Sequence, residues 1–582
     1  MSFIKKLEND LKAIFNQVGY EIDDVVLSIS NRPDLGEYQI NDAMKLAKQY
    51  KENPRDIALK IVEKLNNDDR FCNVNIAGAG FINISISDSY LLECANKTMN
   101  NVYNNIDLPE PKKIIIDYGG ANVAKMLHVG HLRSANIGEA LKRLAKLLKH
   151  DVIGDVHLGD SGLQAGIVCL EMKDRFPNLI CFKEDYNGED FELPITSSDL
   201  SYIYPEGSAR IKPDEELLNE ARNITYLIQK GHIGYTKLWD KLSSLSIQDI
   251  KKVYEELNTT FELWESERDS LKYIPEMMQY LESKGLIYTS EGAKVMDVKQ
   301  DDDEKEVPPI ILETSNGAYL YGTTDLATIY SRMQRFNPDE IWYVVDNRQD
   351  LHFNQVFRAA YKSGIVSDNT KLQFLGFGTM NGQDGRPFKT RDGGVMSLPD
   401  LIDLVNEETT KKLNANITNE EERKIISRNI ALAAIKYADL IPFRSTDYVF
   451  EPAKFSDLEG KTGPYLLYST IRMKSLLKKA TEKNIDFKII KTIKNEYDRD
   501  IMLNILNLST ALSKSYESKS LNEITDYIYK LTSSYNKFYS ENRILDEENE
   551  DLRSSWLSMT KLVLNINLML LDVLGINCPD KM

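Results

Sequence analysis

The chain has 582 residues, 42% apolar and 28% charged, with 72 basic against 89 acidic side chains and a formal net charge of −17. At about 100–200 residues per domain it holds three or four domains with buried cores, which excludes a small module, a fibre or a disordered tail. The charge argues against indiscriminate nucleic-acid binding, yet residues 451–582 carry 19 basic and 19 acidic side chains, so the deficit lies in the first 450 and a local basic surface stays open.

Five cysteines (Cys72, Cys94, Cys169, Cys181 and Cys578) are scattered without a C-x-x-C pair, so free thiols are expected and no structural metal. No run approaches the roughly 18–20 uninterrupted apolar residues of a membrane span, and Met1–Lys6 has no apolar leader region, so a cytoplasmic chain without a membrane partner is expected.

In chain order, Phe3, Leu7, Leu11, Ile14, Phe15 and Val18 fall on one face of an opening helix. A second helical stretch carries Ala43, Met44 and Ala47, then, after the Asn53-Pro54 start signal, Ile57, Ala58, Ile61, Val62 and Leu65. Alternation over Ile82–Ile86 predicts a half-buried strand, and together these form an α+β module over residues 1–105. Pro109 and Pro111 mark a linker.

Lys113–Tyr118 is then a β-branched run of the kind buried on both faces of a parallel sheet, and the pattern returns at Val152–Asp155 and Glu340–Asp346. A Rossmann-like α/β domain over 106–450 is expected, with the polar stretch 176–208 and the charged run 299–306 as irregular insertions. From about Glu420 strand signals vanish, and 451–582 reads as an all-α bundle.

The strongest local signal is His128-Val129-Gly130-His131, just beyond the first core strand and opening a long helix. A helix N-terminus at the carboxyl end of a parallel strand offers N–H groups to a phosphate, and two histidines three apart add donors toward charge developing on phosphorus. Gly130 leaves room for a flat ring to approach the backbone. Far along the chain, Gly378–Gly394 is a glycine-dense loop with Phe388, Lys389 and Arg391 near its tip, suited to folding over a triphosphate. Alone, that loop reads more readily as a solvated hairpin.

These residues resemble the signatures of the class I aminoacyl-tRNA synthetases, and specifically the arginyl-tRNA synthetase family. NVAKMLHVGHLRSANIGEAL (122–141) is similar to its first signature and flanks, and DGRPFKTRDGG (384–394) to a degenerate second one. Residues 36–48, 53–65 and 77–87 resemble its amino-terminal module, while 463–479, 535–545 and 570–582 resemble its helical anticodon-binding domain. The departures are Gly120-Ala121 where the family usually has Ser-Pro, and Ser161 where an aromatic is common.

The resemblance implies an arginine–tRNA ligase, with L-arginine, ATP carrying Mg²⁺, and tRNA(Arg) as partners, acting as a monomer. It assigns His128, Gly130, His131, Phe388 and Lys389 to ATP, and His128, His131, Lys389 and Arg391 to catalysis. A guanidinium needs carboxylates placed for bidentate contact. By the same resemblance Glu267, Tyr321 and Asp325 take it, Asn122 and Gln349 take the amino and carboxylate groups, and Asp117 supports the pocket. Judged alone, Asp325 reads as an N-cap of a helix starting at Leu326, and Glu267 as part of a solvated acidic face. Lys461–Thr481 contains five basic residues and no acidic one, and Tyr465, Arg472, Lys474 and Lys478 are the anticodon-side candidates.

Overall fold

Ile114, Ile115 and Ile116 are fully buried, so the first β-branched run is a strand covered on both faces. The computed structural model describes residues 1–386, 388, 396–412 and 419–581. Four parallel strands lie in the spatial order Lys371–Phe374, Glu340–Val344, Lys113–Tyr118, Asp151–Asp155. The chain therefore starts in the middle, runs to one edge through helix Val129–Leu147, and later re-enters on the other side. Strands Lys113–Tyr118 and Glu340–Val344 flank the switch point, where open parallel sheets bind ligands. In register, Asp117 stands beside Asp155 on one side and Tyr343 on the other.

The segment between the second and third strands is more ordered than its composition predicts. Residues 176–208 were expected to be irregular, but Ser197–Ile211 is a helix. Asp199 accepts from the Thr196 amide (2.7 Å) and hydroxyl (2.8 Å), closing the first turn, and Leu200, Ile203 and Ile211 are buried. Pro205 inside that helix broke the pattern a reader looks for. Helices Leu163–Arg175, Glu215–Gln229 and Ile233–Glu256 pack with it, followed by a small antiparallel sheet of Tyr288–Ser290, Ala293–Met296 and Ile310–Glu313.

At the amino end, helix Phe3–Gln17 buries Phe3, Leu7, Leu11 and Phe15 against a four-stranded antiparallel sheet. Strand Phe81–Ile86 buries Ile82, Ile84 and Ile86 on one face as expected, and on the other face Asn83 is buried between the half-buried Phe81 and Ser85. Asn83 donates to Asn75 at 3.2 Å, which satisfies its amide.

This region docks on the C-terminal helices: Asn105 donates to the Ile505 carbonyl (2.7 Å), Asn96 to that of Ile490 (2.8 Å), and Arg499 to Glu37 (2.7 Å). Helices Gly463–Glu482, Glu496–Leu506, Leu508–Ser518, Asn522–Glu541 and Glu550–Val573 form the C-terminal bundle. The last is long and apolar enough to cross a membrane by length and composition. Its most apolar window has a mean hydropathy of 1.3 and is 72% buried, so within this fold it is the bundle's core helix.

Candidate active site

One cavity of about 670 Å³ opens at the switch point. Asp117, Asn122, His128, Gly130, His131, Glu267, Tyr321, Asp325 and Gln349 all line it, although they come from six separate stretches of chain.

The histidines sit where helix Val129–Leu147 begins. The Gly130 amide donates to His128 Nδ1 at 3.1 Å, and the His128 amide donates to His131 Nδ1 at 3.0 Å. Both Nδ1 atoms are acceptors, so in each neutral ring the proton is on Nε2, and each ring offers one N–H donor away from the backbone. The rings lie 4.0 Å apart, centroid to centroid. Loss of hydration lowers the proton affinity of both, aided at His128 by Lys125 and Arg348 and at His131 by His128, and His131 falls to about 3. Both are neutral donors at pH 7. A side chain at position 130 would put its Cβ 2.9 Å from His128 Cε1, so the glycine makes room for the neighbouring imidazole.

The acidic wall is built from several elements. Glu267 Oε2 accepts from the Ser161 hydroxyl (2.6 Å) and amide (3.2 Å). Glu267 is buried, which overturns the reading of a solvated acidic face, and that burial, reinforced by the negative charge of Asp325, pushes its carboxyl up to about 7 against the Ser161 hydrogen bond. Asp325 lies within helix Tyr321–Phe336, one turn past its start, and the N-cap position belongs to Leu320. The capping expectation for Asp325 is therefore corrected: its Oδ2 is 2.5 Å from His352 Nε2. Tyr321, one helical turn before it, is 52% exposed at the rim.

Behind this wall, Arg332 is fully buried and donates to Asp117 (2.7 Å) and Asp155 (2.5 Å), with a further contact to the Tyr343 hydroxyl at 3.3 Å. Burial raises the Asp117 carboxyl, whereas the guanidinium prevails at Asp155 and lowers it. Asp117, Asp155 and His157 have the spacing of a metal site, but the guanidinium of Arg332 already bridges the two carboxylates. Asp117 thus faces an internal partner and carries the pocket's frame.

Sequence reasoning missed Arg332, Asp155, His157 and His352. A lone arginine inside an amphipathic helix carries no signal, and the Asp325–His352 pair joins residues 27 positions apart that only folding brings together.

The other expected residues lie elsewhere. Phe388 donates its amide to the Met380 carbonyl (3.1 Å) and its ring packs against Phe450, away from the cavity lining. Lys389 and Arg391 lie outside the described residues. On helix Gly463–Glu482, Tyr465 accepts from Asn536 (2.9 Å) and packs on Tyr529, and Arg472 sits over the rings of Tyr468 (4.8 Å) and Tyr539 (5.2 Å). Lys474 holds the C-terminal tail through Asp580 at 3.1 Å, and Lys478 is exposed.

A parallel sheet whose switch-point cavity is flanked by a His-x-Gly-His helix start defines the catalytic domain of a class I aminoacyl-tRNA synthetase. Residues 94–452 match the model of tRNA synthetases class I (R), catalytic domain; residues 2–86 match the arginyl tRNA synthetase N terminal domain, and residues 466–582 the DALR anticodon binding domain. The chain is 43% identical to the arginine–tRNA ligase of Alkaliphilus oremlandii, over all of this chain and 99% of that one. The figure is again 43% for the enzyme of Agathobacter rectalis, over 100% and 99%. The crystal structure of arginyl-tRNA synthetase from Plasmodium falciparum superposes with a TM-score of 0.82 at 25% identity, covering 100% of this chain and 99% of that one. The chain belongs to the arginyl-tRNA synthetase family and is an aminoacyl-tRNA ligase.

Proposed function

We propose that this ligase activates L-arginine and transfers it to tRNA(Arg) in two steps within the switch-point cavity. In the first, an arginine carboxylate oxygen forms a bond to the α-phosphorus of ATP while the bond from that phosphorus to the bridging oxygen breaks, giving arginyl-adenylate and pyrophosphate. In the second, the 2′-hydroxyl of the terminal adenosine attacks the arginyl carbonyl and gives up its proton to the departing phosphate, and AMP leaves with the bonding pair. No covalent enzyme intermediate is needed.

The carrying observation is that two neutral Nε2–H donors and a partly unpaired acidic wall line one cavity. Neutral imidazoles fixed by their own backbone donate to charge as it builds on phosphorus without a cost of reorganisation. Glu267, Asp325 and Tyr321 suit the planar fork of a guanidinium, which repays the burial of Glu267 when it arrives. Asn122 and Gln349 are assigned to the amino and carboxylate end. Mg²⁺ travels with the ATP phosphates, and Lys389 and Arg391 are assigned to the leaving pyrophosphate.

Residues 1–105, 106–450 and 451–582 are proposed as the tRNA-binding, catalytic and anticodon-binding domains of a cytoplasmic monomer, with Tyr465, Arg472, Lys474 and Lys478 on the anticodon side. A site built around a guanidinium rejects shorter analogues by leaving buried carboxylates unpaired, so separate proofreading is unnecessary. ATP–pyrophosphate exchange with each amino acid, with and without total tRNA, tests the reading. Exchange with arginine alone supports it; exchange with another amino acid, or with none under either condition, refutes it.

A further inference from the structure

The third core strand ends at Val344, and the turn after it, Asp346–Gln349, enters the switch-point cavity with its backbone fixed. The Asp346 carboxylate accepts from the Arg348 amide at 2.9 Å, while Asn347 donates its amide to the Phe377 carbonyl (3.0 Å) and its side chain to that of Ser445 (3.2 Å). The Arg348 side chain stands outside this scaffold. It is 83% exposed, and among the described residues its hydrogen bonds go to Asp346 alone, Nε to Oδ1 at 2.8 Å and Nη2 to Oδ2 at 2.6 Å. An ion pair this exposed contributes little to stability, so the guanidinium can leave it at small cost.

Among the described residues Arg348 is the only lysine or arginine lining the cavity, against the four carboxylates of Asp117, Glu267, Asp325 and Asp346. Both signature histidines are neutral at pH 7, so they offer donors to a phosphate but no charge. Arg348 supplies what they lack. It stands near enough for its charge to add to the lowering of His128 that burial begins. Lys125, the other cation felt there, is drawn over the Tyr204 ring at 4.5 Å and lines a separate cavity. A guanidinium fork matches two oxygens of one phosphate, and phosphate is the stronger partner because its charge meets the fork inside the cavity and not in open water.

We propose that Arg348 is a phosphate ligand in the activation step: when ATP enters, its guanidinium exchanges the Asp346 carboxylate for non-bridging oxygens of the α-phosphate, beside His128. The inference rests on the ligase reading, which is what brings ATP to this cavity. Held there, the fork neutralises charge on the phosphoryl oxygens as the arginine carboxylate adds and pyrophosphate departs. It acts on the α-phosphate, apart from the basic residues assigned to the leaving pyrophosphate.

The test uses the full chain with arginine and tRNA(Arg). It reads ATP–pyrophosphate exchange together with inhibition by AMP, which keeps the α-phosphate, and by adenosine, which lacks it. Arg348→Gln should lower kcat/KM for ATP about tenfold to hundredfold, with KM for arginine unchanged. Its Ki for AMP should rise about tenfold while its Ki for adenosine stays at the parent value. Arg348→Lys keeps the charge and loses the fork, so it should recover part of the loss. Asp346→Asn keeps a side-chain cap on the turn and releases the guanidinium, so AMP should bind at least as tightly as to the parent. Equal losses for AMP and adenosine, or parental kcat/KM for ATP in Arg348→Gln, overturn the proposal. So does a loss in Asp346→Asn as large as that in Arg348→Gln, since the pair would then serve the fold and not the nucleotide. If the parent exchanges with arginine while Arg348→Gln matches it, the inference falls and the ligase reading stands; if the parent exchanges with no amino acid, the ligase reading itself falls.

Discussion

His352 Nε2 and Asp325 Oδ2 meet at 2.5 Å across the mouth of the switch point, tying helix Tyr321–Phe336 to helix Asp350–Ser363. The bond orients the Asp325 carboxylate that arginine is proposed to use. Removing the imidazole leaves Asp325 free to rotate without removing its charge. A hydrogen bond to a charged group contributes about 1.5–3 kcal/mol, so His352→Ala should raise KM for arginine at least about tenfold. KM for ATP should not change. A His352→Ala enzyme with parental KM for arginine would show that Asp325 needs no such support.

Glu267 gives the proposed arginine site a pH dependence. Its folded pKa, about 7, lies above the ordinary carboxyl value of 4.5, so the folded chain holds the extra proton between those limits. Stability from this group is full below 4.5 and lost as pH rises through 7. A bound guanidinium favours the carboxylate, so arginine binding near pH 7 should release about half a proton, measurable by calorimetry in buffers of different ionisation enthalpy. Glu267→Gln should raise stability at pH 8 by up to about 3 kcal/mol and abolish both the proton release and tight arginine binding. Unchanged proton release in that variant would exclude Glu267 as its source.

His131 acts in the opposite direction. It is a base whose folded pKa, about 3, lies below the ordinary 6.5, so the unfolded chain binds the extra proton between those values. Its contribution is complete above 6.5 and disappears as pH falls toward 3. His131→Gln should flatten the acid limb of a denaturant-stability profile, while the parent loses stability there.

Gly130 separates a chemical effect from a folding one. In Gly130→Ala the new Cβ would lie 2.9 Å from the His128 ring, which has to swing away, yet alanine improves helix propensity in that turn. The melting temperature should hold or rise while kcat falls about tenfold to hundredfold, approaching the loss expected for a missing transition-state donor. Parental kcat in Gly130→Ala would remove His128 from the chemistry.

Arg332 tests the frame. Arg332→Leu leaves the carboxylates of Asp117 and Asp155 facing each other in the interior, and breaking a buried pair costs about 3–5 kcal/mol. Because burial already raises the Asp117 carboxyl, the loss should shrink as pH falls and that group takes a proton. Urea unfolding at several pH values measures it; a loss independent of pH would mean that lost packing, not uncompensated charge, is the cause.

Local pattern and motif order carried much of this protein. The β-branched run at Ile114–Ile116 announced a strand covered on both faces, the periodic Phe3–Phe15 stripe announced a helix, and His128-Val129-Gly130-His131 announced a helix start just beyond the first core strand, because each depends on neighbours within a few residues. Pairings over long separations were invisible. Arg332 meets Asp117 across 215 positions and Ser161 meets Glu267 across 106, and Asp325, which alone looked like a helix cap, acquired its partner only when two helices converged. Composition and spacing determined which kinds of element and chemistry this chain can form. Tertiary structure decided which charges lose their water and which face a partner, since desolvation and Coulomb energy depend on distance in space and not along the chain.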